Sequence, residues 1–486
     1  MKKGDELIVD ITGLNSNGKG ISRTEEGFVV FTDKVLPGDR VKVRVRKKKS
    51  NYAEADLLEI LDESEYRITP KCNYFGICGG CKLQSCSYDK QIDFKTETVR
   101  NAFERIGSFS KVQVPLALKS EDIFFYRNKM EFSFSDDKWL QSKPVKSEKE
   151  KNTENNFALG LHVPKFHSKI VDIEECLLQS NISNDILNFT RKFFKEKRLS
   201  IYSTRTHKGY LRFLIIRQSR NTNDILLNLI TYDFNEDLVN KFSEKLSDEF
   251  PEITTFVNST SKRKAQVAVG EEEKIIFGKG FIYEKLFRGN KDFRFKISPS
   301  SFFQTNTSQT EKLYKTVSDF ADFKESDNVL DLYCGAGTIA IFVSDYVYKV
   351  TGVELLGDAV TNANENADIN NVKNTEFILS DIKDYVMNLQ KNEQDFFLNK
   401  ESSFKDGFTN KLIFDPPRSG IHPKICEVLS ETNFEKIVYV SCNPVTQARD
   451  LEMICSNGNY VIEKIQPIDM FPQTYHIENV VCLKNT

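Results

Sequence analysis

The stretch at residues 329–341, Val-Leu-Asp-Leu-Tyr-Cys-Gly-Ala-Gly-Thr-Ile-Ala-Ile, constrains this chain most. Residues 328–333 read as a short buried strand, 334–338 as a tight glycine turn and 339–346 as the opening of a helix. That succession is the opening unit of a doubly wound α/β sheet, whose ligand crevice lies at the strand ends. Gly335 and Gly337 stand two apart with no third glycine on the helix face. The dinucleotide fingerprint, in which glycines admit a pyrophosphate, is therefore not met, and a cofactor without phosphates fits better.

S-adenosylmethionine (SAM) is such a cofactor. Its amino-acid end needs close backbone approach, and its ribose needs an acidic partner near the end of the next strand. Glu354 closes the run 349–354, close to the roughly 20-residue spacing at which an acidic side chain meets ribose hydroxyls. Asp381 follows 377–380 at the end of a third strand, where an adenine would lie. A doubly wound domain that binds another nucleotide, or none, shares these features, and the rest of the chain favours SAM.

At 486 residues the chain exceeds one ordinary domain, and about two to four are expected. No apolar run approaches the roughly 18 residues of a membrane span, and Met1-Lys-Lys-Gly-Asp-Glu lacks a signal-peptide core. A cytoplasmic protein without a membrane partner is expected. Ten cysteines in a reducing compartment point to metal binding or catalysis in some cases rather than to a disulfide framework. With a net charge of only -2, any nucleic-acid footprint must be local.

Residues 3–62 read as a small β-barrel of alternating strands punctuated by Gly18-Lys-Gly20 and Pro37-Gly38-Asp39. In one strand Arg40, Lys42, Arg44 and Arg46 share a face while Val41, Val43 and Val45 share the other. That basic face is either a solvated edge protected by charge or, as expected here, a phosphate-contacting surface. The block resembles the TRAM domain, an OB-like RNA-binding barrel, through Gly18-Lys-Gly20 and Leu36-Pro-Gly-Asp39.

Cys72, Cys78 and Cys81 follow as C-x5-C-x2-C, with Gly79-Gly80 between the last two, Cys86 just beyond and Cys176 far downstream. Four thiolates can hold an iron-sulfur cluster or a zinc ion. The spacing matches neither the two-pair zinc ribbon nor the C-x3-C-x2-C of radical SAM enzymes. Between 87 and 290 lie a helix (89–106), strands at 125–134, 211–217 and 225–230, and a polar insert at 143–156; a second polar insert spans 390–408. Both inserts are expected to be exposed loops. Arg127, Lys129, Arg212, Arg217 and Lys262-Arg-Lys264 add cations among aromatic residues, a composition suited to unstacked RNA bases.

Three strand ends then supply chemistry. Lys411-Leu-Ile-Phe-Asp415-Pro-Pro-Arg418 places an acid at the crevice, and Arg418 stands where amino-methyltransferases carry an aromatic residue, which removes the main support for base-amine methylation. Residues 436–444 end in Ser-Cys442-Asn-Pro, and Glu478 stands at the threshold of a last strand. A thiol nucleophile and a carboxylate base beside a SAM site suit carbon 5 of uracil. Addition of a thiolate to C6 makes C5 nucleophilic, and a base then removes the C5 proton. Local positive charge at Cys442 is expected to favour its thiolate.

Together these residues resemble the RNA uridine C5-methyltransferase family, specifically its ribosomal-RNA branch with a TRAM domain and an iron-sulfur cluster. The resemblance implies Cys442 as nucleophile and Glu478 as base. It implies Cys72, Cys78, Cys81 and Cys176 as ligands of a 4Fe-4S cluster, with Cys86 a bystander. It also implies SAM contacts at Gln304, in Ser301-Phe-Phe-Gln304, and at Tyr333, Thr338, Glu354 and Asp415, beside Gly335, Gly337 and Asp381, which the turn and strand ends themselves supply; residues 471–478 match the base motif. Tyr475 and Thr338 depart from the commoner residues without removing a needed group.

The expected fold is a multidomain α/β chain: a TRAM barrel at 1–62, a central α+β iron-sulfur domain at 63–290 and a Rossmann-like methyltransferase domain at 291–486. The expected activity is methyl transfer from SAM to C5 of a uridine in RNA, 23S ribosomal RNA first and transfer RNA as the alternative, with no obligate protein partner. A radical SAM enzyme would need a cysteine spacing the chain lacks. A non-catalytic RNA-binding protein would not need Cys442, Asp415 and Glu478 on three strand ends.

Overall fold

The computed structural model describes residues 1–139, 156–164, 166–392 and 410–486. The polar inserts at 143–156 and 390–408 fall, but for their ends, outside the described residues. The chain divides into two compact units, one of residues 1–71, 82–121 and 308–486, the other of 72–81 and 122–307. Residues 82–121 thus cluster with the C-terminal sheet rather than with a contiguous central domain. The reason is the helix Tyr88–Arg105, whose Ile92, Val99, Ala102 and Phe103 enter the same apolar core as Leu330, Leu332, Leu412 and Phe414.

In the first unit, a six-stranded sheet runs in the order Glu6–Asp10, Arg40–Lys48, Tyr52–Asp62, Val29–Thr32, Gly20–Arg23, Gly13–Leu14. Val41, Val43 and Val45 enter its core as the alternation requires. Arg40–Lys48 is flanked on both sides, however, so its basic face is no edge. Lys42 and Arg44 pair with Glu6 at 2.8 and 2.6 Å, and Arg46 pairs with Glu54 and Asp56. Cross-strand acids neutralise much of the charge that the strand alone offers to phosphates.

A seven-stranded sheet forms the rest of this unit, in the order Thr375–Leu379, Lys349–Glu354, Asn328–Leu332, Lys411–Phe414, Lys436–Ser441, Glu478–Asn485, Tyr460–Ile468. Its first five strands are parallel, Glu478–Asn485 runs against them, and Tyr460–Ile468 pairs antiparallel with Glu478–Asn485. From Asn328–Leu332 the chain winds outward one way to Thr375–Leu379, then returns to Lys411–Phe414 on the other side. That reversal is a topological switch point, where open α/β sheets bind ligands beyond the carboxyl ends of their strands.

The second unit has its own seven-stranded sheet, ordered Glu272–Phe277, Thr255–Thr260, Ile225–Thr231, Leu211–Gln218, Lys129–Ser135, Ala158–Val163, Phe166–Asp172. Helices Asn181–Glu196 and Glu236–Glu249 pack a phenylalanine-rich core against it. The strand expected from 125 begins only at Lys129: Phe125 adopts φ +54°, and the N–H groups of Phe125, Arg127 and Asn128 donate to the carbonyls of Leu177, Leu178 and Thr305 instead of to the sheet. Two cations read as RNA contacts are structural instead. Arg212 is buried over the Tyr202 ring and donates to the carbonyls of Ser261 and Ala265. Arg217, also buried, donates to the carbonyls of Pro299 and Ser301. Among the described residues, no helix is long and apolar enough to cross a membrane.

Candidate active site

Several elements deliver side chains to the carboxyl edge of the parallel sheet in the first unit. Past Leu332 the chain turns through Tyr333, Gly335 and Gly337 at φ +62°, +55° and +73° before the helix Thr338–Val343. At Gly337 a Cβ would lie 2.7 Å from Phe377 Cζ, so close packing as well as φ requires glycine. At Gly335 a Cβ would meet nothing within 4 Å: bare backbone faces open space there. The Gly335 N–H donates to Glu354 Oε2 at 3.1 Å, and Glu354 Oε1 accepts from the N–H groups of Leu355 and Leu356 at 2.8 and 2.9 Å. The acid expected at the ribose is thus tied to the glycine turn itself.

Tyr314 and Thr338 share a hydroxyl hydrogen bond of 2.7 Å. Asp381 lies exposed beyond Thr375–Leu379, and its Oδ1 accepts from the Asp384 N–H at 3.1 Å, capping the next helix. Asp331 interrupts the apolar strand Asn328–Leu332, a cue visible in the sequence. It is 1% exposed, and its Oδ2 makes no hydrogen bond among the described residues. Burial and the nearby Asp415 charge hold its carboxyl well above the usual range. The Ala340 N–H bonds to the same carboxyl, which leaves Oδ2 alone as a buried acceptor close to the turn of bare backbone.

Cys442 follows Ser441, whose ladder partner is Asn479. The next residue on the antiparallel strand is Glu478, so thiol and carboxyl stand opposite each other at the sheet edge. Asp415 follows Phe414, the ladder neighbour of Tyr439 on the cysteine-bearing strand. Glu478, Asp415 and Arg418 all act electrostatically on Cys442. Burial, then Glu478 and Asp415, push the thiol up to about 12, and Arg418 opposes them. The expectation of a thiolate favoured by positive charge is therefore corrected: two acids and a dry setting outweigh one exposed arginine, and the thiol rests protonated. Burial pushes Asp415 up to about 7, and burial together with Asp415 pushes Glu478 well above the carboxylate range.

The loop after Asp415 is tied to the helix after Cys442. Asn443 Nδ2 and Thr446 Oγ1 donate to the Arg418 carbonyl at 3.0 and 3.3 Å. Buried Asp450 accepts from the Tyr439 hydroxyl at 2.8 Å and from the Ile421 N–H at 2.9 Å. Gln304 belongs to the second unit, where its carbonyl accepts from Asn128 Nδ2 at 2.9 Å.

In that second unit, Cys72, Cys78 and Cys176 interact electrostatically with one another. Cys78 and Cys176 share an apolar cluster with Val163, Val171 and Ile173. Backbone N–H groups reach each sulfur: Tyr74 and Phe75 at Cys72, Gly80 at Cys78 (3.3 Å), Leu178 and Gln179 at Cys176. Such donors stabilise thiolates on a cluster. Among the described residues, no three His, Cys, Asp or Glu side chains are grouped so as to hold a single metal ion. Cys81 is part-buried, and Cys86 is a fully buried thiol of the first unit, packed with Leu36 and Leu83.

Known proteins match this chain along its whole length. The tRNA (uracil-5-)-methyltransferase family matches residues 221–486, and the TRAM domain matches residues 1–58. Proteins named as uncharacterized RNA methyltransferases are 38% identical in Chlorobaculum tepidum, over 99% of this chain and 97% of the relative, and 37% identical in Bacteroides thetaiotaomicron, over 97% and 100%. The Pyrococcus abyssi tRNA (uracil-54, C5)-methyltransferase, solved with S-adenosyl-L-homocysteine, superposes with TM-score 0.72 at 28% identity, covering 98% of this chain and all of that one. With a TRAM domain ahead of a SAM-dependent methyltransferase fold, the chain belongs to the tRNA (uracil-5-)-methyltransferase family and is a SAM-dependent RNA methyltransferase.

Proposed function

We propose that this enzyme methylates C5 of a uridine in RNA through a covalent bond between Cys442 and C6. The observation that carries the reading is the placement of Cys442 opposite Glu478, with Asp415 at the same edge. Cys442 Sγ, its proton passed to a neighbouring carboxylate, adds to C6, and the ring electrons shift to O4, leaving C5 nucleophilic. SAM supplies the electrophilic methyl group, held by the 333–338 turn, Glu354 and Asp331, with Asp381 as a further contact, and leaves as S-adenosylhomocysteine. Glu478 then takes the C5 proton, the C5–C6 double bond re-forms and the thiolate leaves. Burial, together with Asp415, raises the basicity of Glu478, in the direction a proton acceptor needs. The uridine is taken out of its stack to reach the thiol.

Cys72, Cys78, Cys81 and Cys176 are proposed as ligands of a 4Fe-4S cluster. Each iron of a cluster takes one thiolate, so its four sulfurs stand further apart than the ligands of a single ion. Support comes from the mutual proximity of Cys72, Cys78 and Cys176 and from the N–H donors at their sulfurs. The cluster would hold the cysteine loop in shape, as nothing in methyl transfer requires an electron.

As substrate, 23S ribosomal RNA is favoured by the cysteine set beside a TRAM domain. Transfer RNA is the second reading, favoured by the activity named for the Pyrococcus abyssi relative. The test is incubation with methyl-labelled SAM and unmodified ribosomal or transfer RNA, followed by nucleoside analysis. Label in 5-methyluridine is expected, and the RNA that carries it identifies the substrate. Label on an adenine or guanine amine would overturn the reading.

A further inference from the structure

The connection 469–477 joins Tyr460–Ile468 to Glu478–Asn485 and delivers Glu478 to the site. It is longer than the hairpin loops of about two to five residues that set their own geometry, so its path must be held from outside. The helix Tyr88–Arg105 does this. Lys95 Nζ and Asp469 Oδ1 form a wholly buried ion pair at 2.5 Å, and the same ammonium donates to the Phe471 carbonyl at 3.0 Å. The Tyr88 hydroxyl donates to Asp469 Oδ2 at 2.9 Å, the Phe471 N–H donates to Oδ1 at 3.2 Å, and Gln309 Nε2 donates to the Asp469 carbonyl at 2.8 Å.

Further along, Gln473 adopts φ +69°, a region that disfavours a side chain with a Cβ. Gln91 holds it there. The Gln473 N–H donates to Gln91 Oε1 at 3.0 Å, Gln91 Nε2 donates to Gln473 Oε1 at 3.1 Å, and the Gln473 carbonyl accepts from the N–H groups of Lys82 and Leu83. A buried ion pair is weak support for stability compared with apolar side chains of the same volume. What this network supplies is direction: it fixes one path for the connection, and with it the reach of the Glu478 carboxylate.

We propose that Lys95, Asp469 and the Gln91–Gln473 pair are positioning residues for Glu478, aligning it with the C5 proton of the methylated adduct. The proposal rests on the covalent reading above. Gln473→Gly is the sharpest variant, because glycine accepts the positive φ and keeps the backbone bonds while the side-chain tie to Gln91 is lost. A structural role alone predicts a protein that melts at or above wild type and turns over normally. A positioning role predicts slow proton removal: kcat lower by about tenfold or more, KM for RNA and SAM changed less than about threefold, and covalent protein–RNA adduct building up during turnover. Lys95→Met combined with Asp469→Asn, which discharges the pair at similar volume, should show the same accumulation.

The experiment is single-turnover reaction of the full chain with unmodified substrate RNA and SAM, with adduct and 5-methyluridine measured against time and Glu478→Gln run beside the variants. If Glu478→Gln builds up no adduct, the covalent reading falls and the positioning role with it. If Glu478→Gln accumulates adduct while both other proteins release product at the wild-type ratio, the positioning role alone is overturned.

Discussion

Cys442 and Glu478 stand opposite each other one step past the Ser441–Asn479 pair, on adjacent antiparallel strands that approach the crevice from different parts of the chain. Because one residue directly follows the end of its strand and the other begins its own, both lie at the carboxyl edge of the parallel sheet. Cys442→Ala should abolish methylation in the labelled-SAM assay. Glu478→Gln should still add to C6 and methylate C5, giving an RNase-sensitive band of raised mass on a denaturing gel. Normal methylation by Cys442→Ala would refute covalent catalysis.

Asp415 makes stability depend on pH. Its carboxyl is pushed up to about 7, so between about pH 4 and 7 the folded protein keeps a proton that the unfolded chain has released. The unfolded state binds fewer protons there, and stability falls as pH rises through the window. Each unit is worth about 1.4 kcal/mol, so the whole effect is a few kcal/mol at most, trimmed by the partial solvent contact of Asp415. Asp415→Asn removes the penalty: without SAM it should melt above wild type at pH 8 and level with it near pH 4.5. Calorimetric melts across that range decide, and equal melting at pH 8 counts against a buried acid.

Gly335 and Gly337 should separate binding from folding. Gly337→Ala combines a positive φ, which costs about 1–2 kcal/mol, with a 2.7 Å contact to Phe377, and is expected to lower the melting temperature. Gly335→Ala carries only the φ cost and sends its methyl group into open space. It should fold, yet lose at least about tenfold in affinity for S-adenosylhomocysteine by titration calorimetry, as a 1.4 kcal/mol loss suffices for that factor. Unchanged affinity would place the cofactor elsewhere.

Protein purified without oxygen should contain iron and sulfide in the ~1:1 ratio of a 4Fe-4S cluster. Cys78→Ser and Cys176→Ser should each lower both, whereas Cys86→Ser, at a buried thiol of the other unit, should leave the iron content alone. Zinc with no sulfide would refute the cluster.

Much of the site was legible because its signals are local. A strand, two glycines and a helix in succession predict the turn at 333–337, and an acid at the following strand end predicts Glu354, whatever the remainder of the chain does. The valines of Arg40–Lys48 point inward as their alternation requires. Lys95 also left a trace, as a lysine on the stripe of Ile92, Val99 and Phe103, but nothing near it in sequence named Asp469 as its partner.

What the residues by themselves determined is the kind of element at each position and the chemical groups at the strand ends: a glycine turn for a cofactor without phosphates, a thiol and four carboxyls. Only the tertiary structure decided which charges meet. Strand order turned the basic face of Arg40–Lys48 into ion pairs with Glu6, Glu54 and Asp56, and burial made Arg212 and Arg217 structural. It also placed Cys442, half-buried, beside two acids, and burial with those acids pushes its thiol up to about 12. The physical reason is that backbone periodicity is set by near neighbours. Desolvation and Coulomb energy depend instead on groups brought together across hundreds of residues, and those no local pattern encodes.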